Sequence, residues 1–269
     1  MAFRQALRYI NLMKRKSSSV QRQFSTQNLQ FKPNFKTLTN VQGKFLIKDF
    51  EKEVGVYSAT PEFVKKNCGP IANMFLSKIP QSYFDELAKA QLYPNIDVRI
   101  HRLYPGDYPI SHMYPAFPGW HCDGEYRETY FGQPDLQKTK VSHHIVATAS
   151  SYMEGNEESK TTGVSNTQFL TIPFNTTVVN PTSEITLWRQ VHENLMKYLK
   201  DYKGNCFYDT KDGEMILFDS SSLHRAMPTK IRGWRMFFRM AGWHKPNLGD
   251  GGMISKQETV YIVDEAKGW

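Results

Sequence analysis

Near the middle of the chain, Trp120-His121-Cys122-Asp123 offers an imidazole and a carboxylate two residues apart, and His224 offers a second imidazole about a hundred residues later. Two imidazoles and one carboxylate are what a facial iron site needs, with positions left open for substrate and oxygen. In extended backbone, side chains two residues apart point to one face, so His121 and Asp123 converge while Cys122 faces away. A short His-x-Asp occurs by chance in many chains, and the commoner origin of such a pair is a solvated turn Asp beside a packed His. Its weight therefore depends on the elements around it.

The stretch Gly213-Glu214-Met215-Ile216-Leu217-Phe218-Asp219 reads as a turn into a buried strand, followed by Ser220 to Leu223 and then His224, which places this His at the mouth of a sheet. The next strand, Gly233-Trp234-Arg235-Met236-Phe237-Phe238-Arg239, has period two and puts Arg235, Phe237 and Arg239 on one face. Arginines turned inward are costly without anions to pair with. They call for acidic ligands, such as a dicarboxylate co-substrate, or else they face water.

The rest of the pattern has to position these groups. A short strand is expected at Phe45-Leu46-Ile47, and two helices over 61–92, punctuated by Gly69-Pro70 and Pro80. Residues 96–104 alternate, with Val98 and Ile100 opposed to Arg99 and His101. Strands are expected at 141–149 and 167–173, then a helix from Asn180-Pro181 through Lys200 whose Ile185, Trp188, Val191, Leu195 and Leu199 form an apolar stripe for core packing. Further strands follow at 206–209, 215–219, 234–243 and 259–263. Many short strands with a few flanking helices suggest a mainly β, double-sheet jelly roll, that is, a double-stranded β-helix. Tyr104, Tyr108, Tyr114 and Phe117 crowd the loop before the metal motif, and Tyr104 and Tyr114 are candidate substrate contacts. His143 and His144 are consecutive in a strand, so at most one of them faces inward.

At 269 residues the chain fits one large domain with a full core. Its net charge of +8 is concentrated at the start, where residues 1–40 hold Arg4, Arg8, Lys14, Arg15, Lys16, Arg22, Lys32 and Lys36 and no acid before Asp49. The remainder is neutral, which argues against nucleic acid as a partner. The leader is Arg-rich and Ser-rich, with Phe3, Leu7 and Ile10 spaced along one helical face, and Arg22-Gln23-Phe24-Ser25 resembles a processing site. Such a segment reads as a mitochondrial presequence, with a disordered basic tail as the alternative, so the expected organisation is a leader over 1–40 and one folded domain over 41–269. Three cysteines with no CxxC pair fit a reducing compartment, here the mitochondrial matrix, and no apolar run is long enough for a membrane span.

The ordered set of His121, Asp123, His224 and Arg235 resembles the Fe(II)- and 2-oxoglutarate-dependent dioxygenase superfamily, over roughly residues 97–243. Trp120-His121-Cys122-Asp123-Gly124-Glu125-Tyr126 is similar to the WHxDGxY segment of its taurine dioxygenase-like branch, and Gly163 to Phe169 to that branch's Gly-rich stretch. Arg235 and Arg239 follow His224 at the two spacings used there. The resemblance implies Fe(II) on His121, Asp123 and His224, with 2-oxoglutarate held by Arg235 and the Thr167 hydroxyl. It gives Arg239 either an anionic substrate or a share of the co-substrate. The implied reaction consumes O2, hydroxylates a C–H bond of a small-molecule substrate, and releases succinate and CO2. Two other readings stand beside it: a non-catalytic jelly-roll subunit for binding or assembly, and a zinc hydrolase using one of His143 and His144 as well. No HExxH and no GxSxG turn is present.

Overall fold

The alternation read around Ile100 divides the largest sheet into two chemically different faces. The computed structural model of the protein describes residues 26–41, 45–107, 109, 119–123, 143–152, 164–180, 184–243 and 253–255. In chain order its elements are β1 (Thr26–Phe31), β2 (Phe35–Asn40), α1 (Ile47–Phe50), β3 (Gly55–Ala59), α2 (Pro61–Asn67), α3 (Pro70–Ser77), α4 (Gln81–Lys89), β4 (Tyr93–Leu103), β5 (His144–Tyr152), β6 (Thr167–Leu170), β7 (Phe174–Val179), α5 (Glu184–Leu199), β8 (Phe207–Asp209), β9 (Glu214–Phe218), β10 (His224–Ala226), β11 (Gly233–Trp243) and β12 (Met253–Ser255). The strands form a seven-stranded sheet in the order β12-β3-β4-β11-β5-β9-β2, a three-stranded sheet β10-β6-β8 and a two-stranded pair β1-β7. The pairings are antiparallel, and the sheets do not close into a barrel. The protein is mainly β with a few helices.

On one face of the large sheet, Ile96, Val98 and Ile100 of β4, Met236, Phe238 and Met240 of β11, and Ile145, Ala147 and Ala149 of β5 are buried in one core with Val64, Ile71, Phe75 and Leu87 from the helices. Three helices, rather than the two expected, occupy residues 61–89. Pro61 and Pro70 each stand at the first helical positions, where the missing N–H costs nothing, and Thr60 caps α2 by accepting from the Phe63 amide at 3.2 Å. The Glu53 carboxylate caps α3, accepting from the amides of Gly69, Ile71 and Ala72.

By the same period of two, the opposite face carries Asp97, Arg99 and His101 of β4, Arg235, Phe237 and Arg239 of β11, and His144, Val146, Thr148 and Ser150 of β5. Val146 meets Ile216 and Phe218 of β9 and Phe169 of β6, so the small sheet packs against this polar face. A further core joins α5 to β7 and β1 through Trp188, Val191, Leu195, Phe174, Val178 and Phe31, and it takes in Trp120 and Cys122. The metal motif is thus anchored by its two apolar members.

Several sequence expectations change. β1 and β2, with Phe31 buried, are part of the folded body and lie inside the segment expected as a leader over 1–40; residues 1–25 lie outside the described residues. Phe45-Leu46-Ile47 is not a strand: Phe45 is buried in a loop and the first turn of α1 begins at Ile47. β3, β7, β10 and β12 were not foreseen. Asn180 adopts a left-handed φ of 46° and α5 begins at Glu184; Pro181 lies outside the described residues. So do Tyr108, Tyr114, Phe117 and the strand expected at 259–263.

Candidate metal centre

Two distant segments meet through their backbones. The amide of His121 donates to the His224 carbonyl at 2.9 Å, and the amide of His224 donates to the His121 carbonyl at 2.9 Å, an isolated antiparallel bridge that sets the imidazoles side by side, their planes inclined at 56° and their ring centroids 4.4 Å apart. On the His224 side, the turn after β9 is organised by Asp219, which accepts from the Ser221 amide at 2.9 Å and from the Ser222 hydroxyl at 3.1 Å. On the His121 side, Gly119 has φ 90°. A side chain there would be strained, and its Cβ would lie 3.4 Å from Cβ of Arg225.

Each imidazole has its Nδ1 against a backbone carbonyl: His121 against Gly119 at 2.6 Å and His224 against Ser222 at 3.0 Å. A carbonyl only accepts, so both Nδ1 atoms carry the proton and both Nε2 atoms bear the lone pair with which an imidazole binds a metal. Nε2 of His121 lies 3.8 Å from Oδ1 of Asp123, and Nε2 of His224 lies 3.7 Å from Oδ2. The three ligand atoms are all within 4.8 Å of one another. Burial lowers both imidazoles from their ordinary value, His121 to about 4, so they are neutral near pH 7 as metal ligation requires. Burial alone would raise the Asp123 carboxyl, but the Arg239 guanidinium and the neighbouring imidazoles hold it well below the usual carboxylate range. The group His121, Asp123 and His224 is able to hold a metal ion.

Arg235 and Arg239 share the inward face, as their spacing predicts, but their surroundings differ. Arg239 stands opposite Asp97 in the β4–β11 ladder; its Nε donates to Oδ2 of Asp97 at 3.0 Å and its Nη2 to the same oxygen, while Nη1 donates to Oδ1 of Asp123 at 2.8 Å. The guanidinium for which the resemblance implies an anionic substrate or a share of the co-substrate is engaged by two protein carboxylates. Arg235, 2% exposed, donates Nε to the Ser165 carbonyl at 2.7 Å. Its terminal nitrogens carry no hydrogen bond among the described residues. Its ladder neighbours are His101 and Ser150, and burial together with Arg99 lowers its guanidinium to about 9 against the opposing pull of Asp212.

Among the described residues, Oγ1 of Thr148, Oδ1 of Asn166, Oδ1 of Asp212, Oγ1 of Thr229 and both ring nitrogens of His144 are buried without a hydrogen-bond partner. The Arg235 guanidinium is suited to pair with an anion, and the two imidazoles with one carboxylate could hold a metal ion.

Thr167 opens β6 on the same face as Phe169, whose ring is 5.3 Å from that of His224, and its amide donates to Oγ1 of Thr210 at 3.2 Å. Tyr104 is half exposed at the end of β4 with its ring beneath Arg102 and Arg232, and Tyr114 lies outside the described residues. Of the two adjacent histidines, His144 turns inward and stacks on Phe218 at 5.2 Å, while His143 faces Glu86 and Tyr83. Neither belongs to the metal-binding group among the described residues. Sequence reading missed Asp97 and Asp212. Asp97 was detectable as an acid in the inward parity of β4 with Arg99 and His101; Asp212 had no such signal.

Comparison with protein-family models, with curated proteins and with solved structures returned no match for this chain.

Proposed function

We propose that the protein is an Fe(II)- and 2-oxoglutarate-dependent dioxygenase of jelly-roll architecture that hydroxylates a C–H bond of a small-molecule substrate and releases succinate and CO2. The observation that carries this reading is the combination, on one polar face, of two imidazoles with Nδ1 against backbone carbonyls, one carboxylate, and a buried arginine whose terminal nitrogens make no hydrogen bond among the described residues. Iron and 2-oxoglutarate would supply the oxidative chemistry.

The chain's own residues would bind, orient and shield. His121 and His224 keep their protons at Nδ1 and present Nε2, with the backbone bridge fixing their separation. Arg235 would pair its terminal nitrogens with the distal carboxylate of 2-oxoglutarate, a charge-assisted contact made stronger by its burial. The Thr167 hydroxyl would add a contact to the same molecule. Phe169 and Phe218 flank the His224 ring, 5.3 and 4.9 Å away, and keep water from that side of the centre. The reading also carries a mitochondrial destination, supported by the composition of the leader.

Anaerobic addition of Fe(II) and 2-oxoglutarate to the metal-free protein tests this directly. A metal-to-ligand charge-transfer band is expected on mixing, followed by succinate formation when air is admitted. Folded protein that binds iron and gives neither signal refutes the proposal.

A further inference from the structure

We propose that Asp97 and Arg239 form a clamp that fixes the orientation of Asp123 as a metal ligand, so that Arg239 is a positioning residue and not the anchor of a substrate anion. The inference rests on the metal-centre reading above, and it is tested with the metal alone.

The clamp begins in β3. The pairing of β3 with β4 shifts register between Val56 and Ala59, and inside that irregularity Ser58 takes a left-handed φ of 59°. A non-glycine residue adopts this conformation only where its surroundings hold it there. Here the Ser58 amide, turned out of the ladder, donates to Oδ1 of Asp97 at 2.8 Å, and Nδ2 of Asn95 donates to the Ser58 hydroxyl at 2.9 Å. One oxygen of Asp97 is thereby fixed by backbone. The other receives both Nε and Nη2 of Arg239, the residue directly opposite in the β4–β11 ladder.

With two of its nitrogens held, the planar guanidinium has a single orientation left, and in it Nη1 reaches Oδ1 of Asp123 at 2.8 Å. Oδ2 of Asp123 lies beside Nε2 of His224 and remains for the ion. A bond chain runs from the Ser58 amide through Asp97 and Arg239 to the carboxylate, and it does for Asp123 what the Gly119 and Ser222 carbonyls do for the imidazoles. Outer contacts of this kind set the geometry and affinity of a metal ligand.

Charge accounting supports the role. Asp97 is 2% exposed and Asp123 7% exposed, and one guanidinium serves both. The trio therefore keeps one net negative charge, which a bound dication opposes. A substrate sulfonate or carboxylate placed on Arg239 would compete with two buried carboxylates for which no other Lys or Arg contact is found among the described residues.

The discriminating variant is the double change Asp97→Asn with Arg239→Met in the full chain. It removes one negative and one positive charge, so the long-range field at the metal is balanced and a change in affinity reports orientation. Co(II) binding to the metal-free proteins is followed by calorimetry and by the ligand-field absorption bands. We expect cooperative melting of the double variant with Co(II) affinity reduced about tenfold or more and altered band intensities. Arg239→Lys, which keeps the charge and loses the fork, is expected to weaken Co(II) by less. Wild-type affinity and an unchanged spectrum in the double variant overturn the clamp, and for a double variant that fails to fold, wild-type behaviour of Arg239→Lys does the same. Failure of the unaltered protein to bind Co(II) overturns the metal-centre reading instead.

Discussion

His121 and His224 are joined by two reciprocal backbone hydrogen bonds of 2.9 Å, so the distance between the two imidazoles is a property of the chain's path and not of side-chain packing. The bridge sets His121 against the outer edge of β10, since His224 also opposes Phe169 of β6 on the other side. Packing then refines ring orientation, with Phe169 and Phe218 on two sides of the His224 ring.

It follows that the metal can be removed from the site without dismantling the site. His224→Gln keeps the bridge and most of the buried volume, so the metal-free variant is expected to unfold within about 1.5 kcal/mol of the unaltered protein. Its affinity for Co(II) or Fe(II) is expected to fall at least about a hundredfold, because one of three ligands is gone. Denaturant unfolding and metal titration check the two halves separately, and a parallel collapse of stability would contradict the backbone origin of the geometry.

Arg235→Gln separates co-substrate from metal. The terminal nitrogens of Arg235 have no protein hydrogen bond to lose among the described residues, and the nearest metal-ligand contact belongs to Arg239. A charge-assisted pair is worth about 1.5–3 kcal/mol, so 2-oxoglutarate binding should weaken by roughly ten- to a hundredfold while Fe(II) affinity stays within about twofold. Anaerobic titration of each ligand decides it. Equal loss of both would make Arg235 a structural residue.

Local periodicity made part of this site legible in the sequence. The convergence of His121 with Asp123 and the shared face of Arg235, Phe237 and Arg239 depend only on period two within one segment. What Arg239 touches depends on the register between β4 and β11, a relation between residues far apart in the chain that no local pattern encodes. β1 and β2 were hidden for a different reason: their residues, Thr26–Phe31 and Phe35–Asn40, are mostly polar and exposed, and their acid-free composition blends into the leader. Phe45 supplied an apolar signal that the fold uses in a loop. Asp212 became visible only through its contacts, since the charge of Arg235 and the Ser150 amide, 3.0 Å away, reach it across the sheet.

Gly119→Ala tests the approach to the metal motif. The φ of 90° strains any side chain, and the added Cβ would stand 3.4 Å from Cβ of Arg225. The expected cost is about 1–2 kcal/mol of stability. A shift of this peptide also moves the carbonyl that holds Nδ1 of His121, so metal affinity should fall while 2-oxoglutarate contacts at Arg235 persist. Wild-type metal affinity in a destabilised variant would show that the carbonyl is not needed to orient the ring.

The metal-free protein should be acid-labile well above the range in which carboxylates titrate. Burial lowers His121 and His144 to about 4, and it lowers His101 and His224 as well. An unfolded imidazole titrates near 6.5, so between about 4 and 6.5 the unfolded state binds more protons than the folded one, and stability rises with pH through that window. The contribution is complete above 6.5 and is lost as pH falls towards 4, on the order of 3 kcal/mol for His144 alone. Asp212 acts in the opposite sense: burial raises it to about 7, the folded state takes up its proton first, and its contribution declines as pH rises from 4 to 7. Burial raises Glu53 in the same sense as Asp212 and lowers His143 and His192 with the other imidazoles. Six lowered imidazoles outweigh two raised carboxyls, so unfolding free energy measured with denaturant should drop on the order of several kcal/mol from pH 7 to pH 5. His144→Leu should shallow that slope, because it removes a titrating ring whose nitrogens have no hydrogen-bond partner among the described residues. Saturating Co(II) should stabilise the protein at pH 7 and lose that effect on acidification, since metal and proton compete for the same Nε2 atoms. A stability that is flat or increasing from pH 7 to pH 5 would mean that these imidazoles are not buried in the neutral form.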